Sequence, residues 1–206
     1  MKHGLTILVL CLVAFRPGDM RPSMAPVWVV EPGSVLYVEG SSNVNRFTCQ
    51  MMQYLHADTL RWTRDAQTNR MMFRNSAIHI DVQQFDCHHK YITADFRKTL
   101  KAGQYPYMRI QLLTLEDLTY VQEGKTVGGI VNISLAGVTR QMPMEYRVVH
   151  EQGNRIRLCG SKTMRFSDFQ LVPPSKLAGM IKINEEIRVK FELLFRPCET
   201  TSSSLK

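Results

Sequence analysis

Side chains suited to chemistry lie in four places along the chain. Cys87-His88-His89 sets a thiol beside two imidazoles, with His79 close in sequence. Thiolate and imidazole are good ligands for a transition metal. Neighbouring residues on a strand point to opposite faces, so His88 and His89 share one ion only if a loop gathers them. A disulfide would also consume the thiol, and a polar loop without metal is the expected state. Glu116-Asp117 and Glu185-Glu186 are carboxylate pairs of the kind used in hydrolysis, but both lie near turns and read as solvated. Asp168 is different, because Phe166 and Phe169 flank it. A carboxylate among aromatics can serve as a general base. It can equally bind backbone N–H groups at a strand end or pair with Arg165, and a structural role is the expectation. The chain has no Gly-x-Ser-x-Gly, no Gly-rich loop running into Lys-Ser/Thr and no His-Glu-x-x-His. Neither an enzyme nor a bound cofactor is expected.

The elements that position these residues are strands. Ile187-Arg188-Val189-Lys190-Phe191-Glu192-Leu193 alternates apolar and charged residues, which makes a strand with one dry and one wet face. Val131-Asn132-Ile133-Ser134-Leu135 repeats the pattern. Further strands follow from Met142, Met144, Tyr146 and Val148, from Ile78, Ile80 and Val82, from Met108, Ile110 and Leu112, and from Ile156 and Leu158 running toward Met164 and Phe166. Val35–Val38, Val44–Met51 and Leu60–Trp62 are weaker candidates. Hairpin turns are expected at Glu123-Gly124-Lys125, Ala136-Gly137-Val138 and Gln152-Gly153-Asn154. Gly128-Gly129 inside a strand pattern marks a bend or a close backbone approach. One short helix is expected, capped by Thr93 or Asp95, with Phe96 and Leu100 on one face. The fold class is therefore all-β: an antiparallel up-and-down barrel of about eight strands with one short helix. Composition leaves open whether the barrel is hollow or filled. Twelve methionines suit an adaptable apolar pocket, and they suit a plain core as well.

The first residues read as a leader. Lys2 and His3 precede an apolar run from Leu5 to Phe15, long enough for a secretory signal and too short to span a bilayer. The expected division is a signal peptide over 1–25, the barrel domain over 26–199 and a polar tail over 200–206, with the cleavage site poorly marked. An exported protein, periplasmic or secreted and not membrane-spanning, follows from this division. The net charge of +8 over 206 residues is scattered, with no run of five or more like charges and no aromatic-basic motif, so no nucleic acid partner is expected. Pairing into a homodimer stays open. Beyond the leader stand Cys49, Cys87, Cys159 and Cys198, an even count that favours disulfides in an exported chain. Cys49 and Cys87 each close a strand pattern, so the preferred pairing is Cys49–Cys87 with Cys159–Cys198 by elimination. Four buried free thiols are the alternative.

The order of short motifs resembles the YceI-like family, exported lipocalin-like barrels that bind polyisoprenoid lipids. Ser41-Ser42-Asn43-Val44-Asn45-Arg46-Phe47-Thr48-Cys49 is similar to the opening segment of a divergent Cys-bearing branch. Ser76–Phe85, Ala94-Asp95-Phe96, Gln104-Tyr105-Pro106, Ala136-Gly137-Val138-Thr139, Ser167-Asp168-Phe169 and Ile187–Phe195 follow in the family's order. Two departures are His89-Lys90-Tyr91-Ile92 in place of an Arg-Asp-x-His-Leu run, and Ser167 in place of an Arg. The resemblance implies a hollow apolar barrel holding an isoprenoid or fatty tail, for carriage or storage. Its wall would be the dry-face residues Ile78, Ile80, Met108, Ile110, Val131, Ile133, Met144, Tyr146, Phe166, Val189 and Phe191. A filled barrel that acts as an interaction module in the cell envelope is the competing reading.

Overall fold

A computed structural model describes residues 25–176 and 180–198. The expected leader (except Ala25) and the expected tail lie outside the described residues. The elements are β1 (Val27–Val30), β2 (Val35–Ser41), β3 (Arg46–Met51), β4 (Thr59–Arg64), β5 (Arg70–Phe73), β6 (Ala77–Asp81), β7 (Phe85–Asp86), α1 (Lys90–Thr99), β8 (Tyr107–Glu116), β9 (Thr126–Leu135), β10 (Val138–Glu151), β11 (Arg155–Arg165), β12 (Ser175–Lys176), β13 (Ile181–Lys182) and β14 (Glu186–Cys198). Single 3-10 turns occupy Val82–Gln84 and Phe166–Phe169.

The barrel expected from the alternation is present. Antiparallel pairing runs β1–β4–β5–β8–β9–β10–β11–β14, and β14 pairs back to β1, so eight strands close a ring. Consecutive hairpins build the β8–β11 part of it. The period-two pattern shows why. Val127, Val131, Ile133 and Leu135 of β9 and Met144, Tyr146 and Val148 of β10 are buried, while Glu145 and Arg147 between them are exposed. The turns are the expected ones. Ala136 and Gly137 both have positive φ, 50° and 84°, and join Leu135 to Val138 as a two-residue hairpin. A Cβ at Gly137 would lie 2.7 Å from the Tyr105 ring, so glycine is required there twice over.

Two strands are long enough to serve both ends of the ring. The first half of β14 pairs with β2, and its last residues pair with β1. Likewise β8 pairs with β6 over Tyr107–Gln111 and with β5 over Thr114–Glu116. The register slips between Leu112 and Thr114, opposite Val131 and Ile130 and next to the expected close approach at Gly129, whose Cβ would lie 2.7 Å from the Thr114 carbonyl oxygen. This bulge bends β8 so that it feeds both partners. At the β1 end, Trp28 meets Trp62, Phe73 and Phe195 with ring centroids 5.4–6.2 Å apart and fills the barrel. At the other end β2, β3 and β7 continue the wall, and α1 covers it.

The helix begins earlier than expected. It starts at Lys90 behind His89, not at a Thr93 or Asp95 cap. The Asp86 carboxylate accepts the His88 N–H at 2.7 Å, and His88 turns the chain with φ 58°. The Thr93 hydroxyl, now inside the helix, accepts the Cys87 N–H at 3.0 Å. The Cys49–Cys87 disulfide ties this corner to β3. Cys159 and Cys198 are free thiols, which corrects the second pairing. Cys159 lies opposite Glu192 on β14, six residues before Cys198 on the same strand. At about 3.3 Å per residue that is about 20 Å, far beyond the Cα separation a disulfide spans.

Candidate functional site

The dry faces of the barrel enclose an apolar cavity. Its wall comes from β8 (Met108, Ile110), β9 (Val131, Ile133, Leu135), β10 (Met144, Tyr146), β11 (Met164, Arg165) and β14 (Ile187, Val189, Phe191, Leu193). Leu36 and Val38 of β2, Met51 of β3, and Phe96 and Leu100 of α1 complete it, with Ile80, Val82, Phe85, Phe166, Phe169 and Leu171. Ten of the eleven residues proposed from sequence lie on this wall: Ile80, Met108, Ile110, Val131, Ile133, Met144, Tyr146, Phe166, Val189 and Phe191. The eleventh, Ile78, is fully buried opposite Ile110 in the solid part of the core, off the wall.

The cavity volume is about 70 Å³. A dry apolar cavity of about 150 Å³ accepts a benzene ring, so this space as it stands holds less than one ring. Four thioethers, Met51, Met108, Met144 and Met164, line it. Unbranched thioether side chains change rotamer at low cost and let an apolar wall yield. Tyr146 stands against Phe191 with centroids 5.6 Å apart, and burial pushes its phenol pKa up, so the ring adds no charge. The wall offers dispersion contact and removal of apolar surface from water, and it presents no reactive pair.

Phe96 and Phe166 form a partition. They line the inner cavity on one side and, on the other, an outer groove of about 350 Å³. The groove runs between α1 (Tyr91, Ile92, Asp95, Thr99) and a facing side made by Val44 of the β2–β3 turn, Phe47 of β3, Ile181 of β13 and Ile183 just after it. The sequence reading missed this groove and the Leu36, Val38, Met51 and Phe96 parts of the wall. A stripe of Ile92, Phe96 and Thr99 on α1 at spacings of four and three was the available signal.

The chemistry-bearing residues are brought to other places. Cys87 is spent in the disulfide, while His88 and His89 are exposed at the start of α1. His79 turns to Asp58, its Nδ1 2.9 Å from Oδ1. Asp58 also accepts the Tyr54 hydroxyl at 2.7 Å and the His79 backbone N–H at 2.6 Å. Burial alone would raise the Asp58 carboxyl, but these hydrogen bonds outweigh it and hold the pKa below the usual value. This cluster ties the 52–58 segment to β6 and, through Val30 N–H on the Asp58 carbonyl, to β1. Asp117 accepts the Arg64 guanidinium at 2.9 Å, and Glu185 accepts the Ser167 N–H at 2.6 Å. Asp168 accepts the Arg165 N–H at 2.8 Å, the structural role expected of it. The Arg165 side chain goes to Glu186 at 3.2 Å, not to Asp168. No group of three or more His, Cys, Asp or Glu placed to hold a metal occurs among the described residues, and no helix among them is long and apolar enough to cross a membrane.

No family model and no curated protein matches the chain. Solved structures do. The chain is similar to a polyisoprenoid binding domain from Saccharophagus degradans at 14% identity, covering 85% of this chain and 99% of that one with a TM-score of 0.59. It is also similar to Burkholderia cenocepacia BcnA at 14% identity, covering 79% and 96%, with a TM-score of 0.52. At that identity the likeness is one of fold. The fold of the YceI-like barrels, which the order of sequence motifs resembles, is the fold this chain has.

Proposed function

We propose that this protein is an exported lipid-binding barrel that holds a long apolar tail, of the isoprenoid or fatty class, between the dry faces of β8–β11 and β14. The observation that carries the reading is the wall itself: an interior lined almost wholly by aliphatic, aromatic and thioether side chains. Burial would drive binding at about 25 cal/mol per Å² of apolar surface, before ordering costs. The solved domain from Saccharophagus degradans is a polyisoprenoid binding domain, which supports the same ligand class here. The Cys49–Cys87 disulfide supports an oxidising compartment. The small cavity volume requires that a tail enter by repacking the thioethers. Carriage needs no catalytic step, and Asp168 has a structural partner instead.

A second reading is favoured by that same small volume: a filled barrel that works through its surface. Uptake separates the two. Protein stripped of lipid is incubated with a polyprenol, passed through gel filtration and extracted. About one polyprenol per chain supports the lipid reading. None, with a fatty acid and a quinone also excluded, supports the filled barrel.

A further inference from the structure

The outer groove has lips that the cavity does not explain. On the helix lip Tyr91 is 65% exposed, and on the facing lip Val44 and Met180 are 62% and 68% exposed. The facing lip is one unit. Asn43 Nδ2 donates to the Met180 carbonyl at 2.8 Å, and the Lys182 N–H donates to Asn43 Oδ1 at 2.9 Å. Both lips are also basic. Lys90 and Lys98 stand exposed on α1, with the Lys90 ammonium 5.0 Å from the Tyr91 ring centre, and Lys182 stands exposed opposite. Within 42–46, 90–99 and 180–184, Asp95 is the one carboxylate. Glu185 and Glu186 beyond them face Ser167 and Arg165.

Exposed apolar tips flanked by lysines match the chemistry of an anionic lipid surface, with side chains for the acyl boundary and cations for the headgroups. The groove also meets the inner cavity across Phe96 and Phe166. The geometry points to these lips as a docking surface for an anionic lipid bilayer, which seats the barrel with its α1 end against the membrane. This inference rests on the lipid-carrier reading, since docking there brings the membrane within one aromatic partition of the tail site.

The test is co-sedimentation of the full chain with vesicles of phosphatidylcholine alone, and of phosphatidylcholine with roughly one third phosphatidylglycerol. Lipid carried by the protein is measured separately by extraction. The wild type should bind the anionic vesicles and not the neutral ones, and should release them as salt rises. Lys90→Glu with Lys182→Glu should cut binding at least about twenty-fold, each lysine near an anionic surface counting for about fivefold. Tyr91→Ser with Met180→Ser should weaken it about tenfold. All of these variants should keep their carried lipid and their melting temperature. Loaded wild type that ignores anionic vesicles, or charge-reversed protein that binds as well as wild type, overturns the docking surface. A dimer that the same substitutions dissolve, with no vesicle binding, assigns the lips to a second copy and also overturns it. An empty barrel that still binds vesicles supports the docking surface and removes the carrier reading beneath it.

Discussion

Ile133 offers a direct probe of the barrel wall. It lies on β9 between Val131 and Leu135, is 4% exposed, and faces the cavity opposite Ile110 and Arg140 of the adjacent strands. Ile133→Ala removes apolar volume without adding polarity, and should cost about 2–5 kcal/mol of stability. It enlarges the cavity into space that an apolar tail can fill, so the tail should remain bound. Ile133→Asp is different in kind, because a carboxyl then faces a hydrocarbon tail, while the guanidinium opposite it, Arg140, is held on the Asp168 carbonyl at 2.7 Å. Burying that carboxyl costs about 1–3 kcal/mol even when it stays neutral and part-hydrated. Empty, the cavity can admit water to it; filled with a tail, it cannot. Tail affinity should therefore fall about a hundredfold, or about 2.7 kcal/mol. The assay is polyprenol uptake after gel filtration, with thermal melting and near-ultraviolet circular dichroism to confirm folding. A folded Ile133→Asp protein with undiminished uptake refutes the assigned wall. If Ile133→Ala loses the tail as completely as Ile133→Asp, polarity is not what the site senses, and the reasoning also fails.

Asp58→Asn should destabilise the protein by about 1–3 kcal/mol at neutral pH, by weakening the hydrogen bonds from Tyr54 and His79. Because the folded-state Asp58 pKa is depressed from 3.8, its contribution is present above the unfolded-state value and is lost as pH falls through the folded one. Wild-type and variant melting curves should therefore converge in acid; a constant gap down to strongly acidic pH would contradict this. Replacing both Cys49 and Cys87 by Ala releases a loop of 38 residues and should lower stability by up to about 4 kcal/mol, read from urea midpoints. In native protein Cys198 should alkylate well before Cys159, which is half-buried and whose thiol pKa is raised by burial and by Glu192. Equal labelling rates on peptide mapping would count against the assigned exposures.

Much of the barrel was legible because one wet and one dry face write themselves into a strand as period two. β9, β10 and β14 carry that alternation over long runs, and the wall residues Val131, Ile133, Met144, Tyr146, Val189 and Phe191 follow from it. β1 and β5 were missed for the opposite reason. Val27-Trp28-Val29-Val30 and Arg70-Met71-Met72-Phe73 are short and show no alternation. The Trp28 cluster that fills one end was therefore missed too. The Asp58–His79 pair spans 21 residues and depends on how the 52–58 segment returns to β6, which no local pattern encodes. The helix start was misplaced because Asp86 and His88 turn the chain before any conventional cap. The Cys159–Cys198 pairing failed because elimination ignores distance along β14.

The central claim is that the barrel carries a lipid tail. Native mass spectrometry of the protein purified from its own envelope fraction without detergent tests it most directly, followed by solvent extraction and identification of any adduct. The account predicts one adduct per chain, of isoprenoid or fatty mass, lost in Ile133→Asp. A bare chain at its sequence mass that also takes up no added polyprenol, fatty acid or quinone would contradict it.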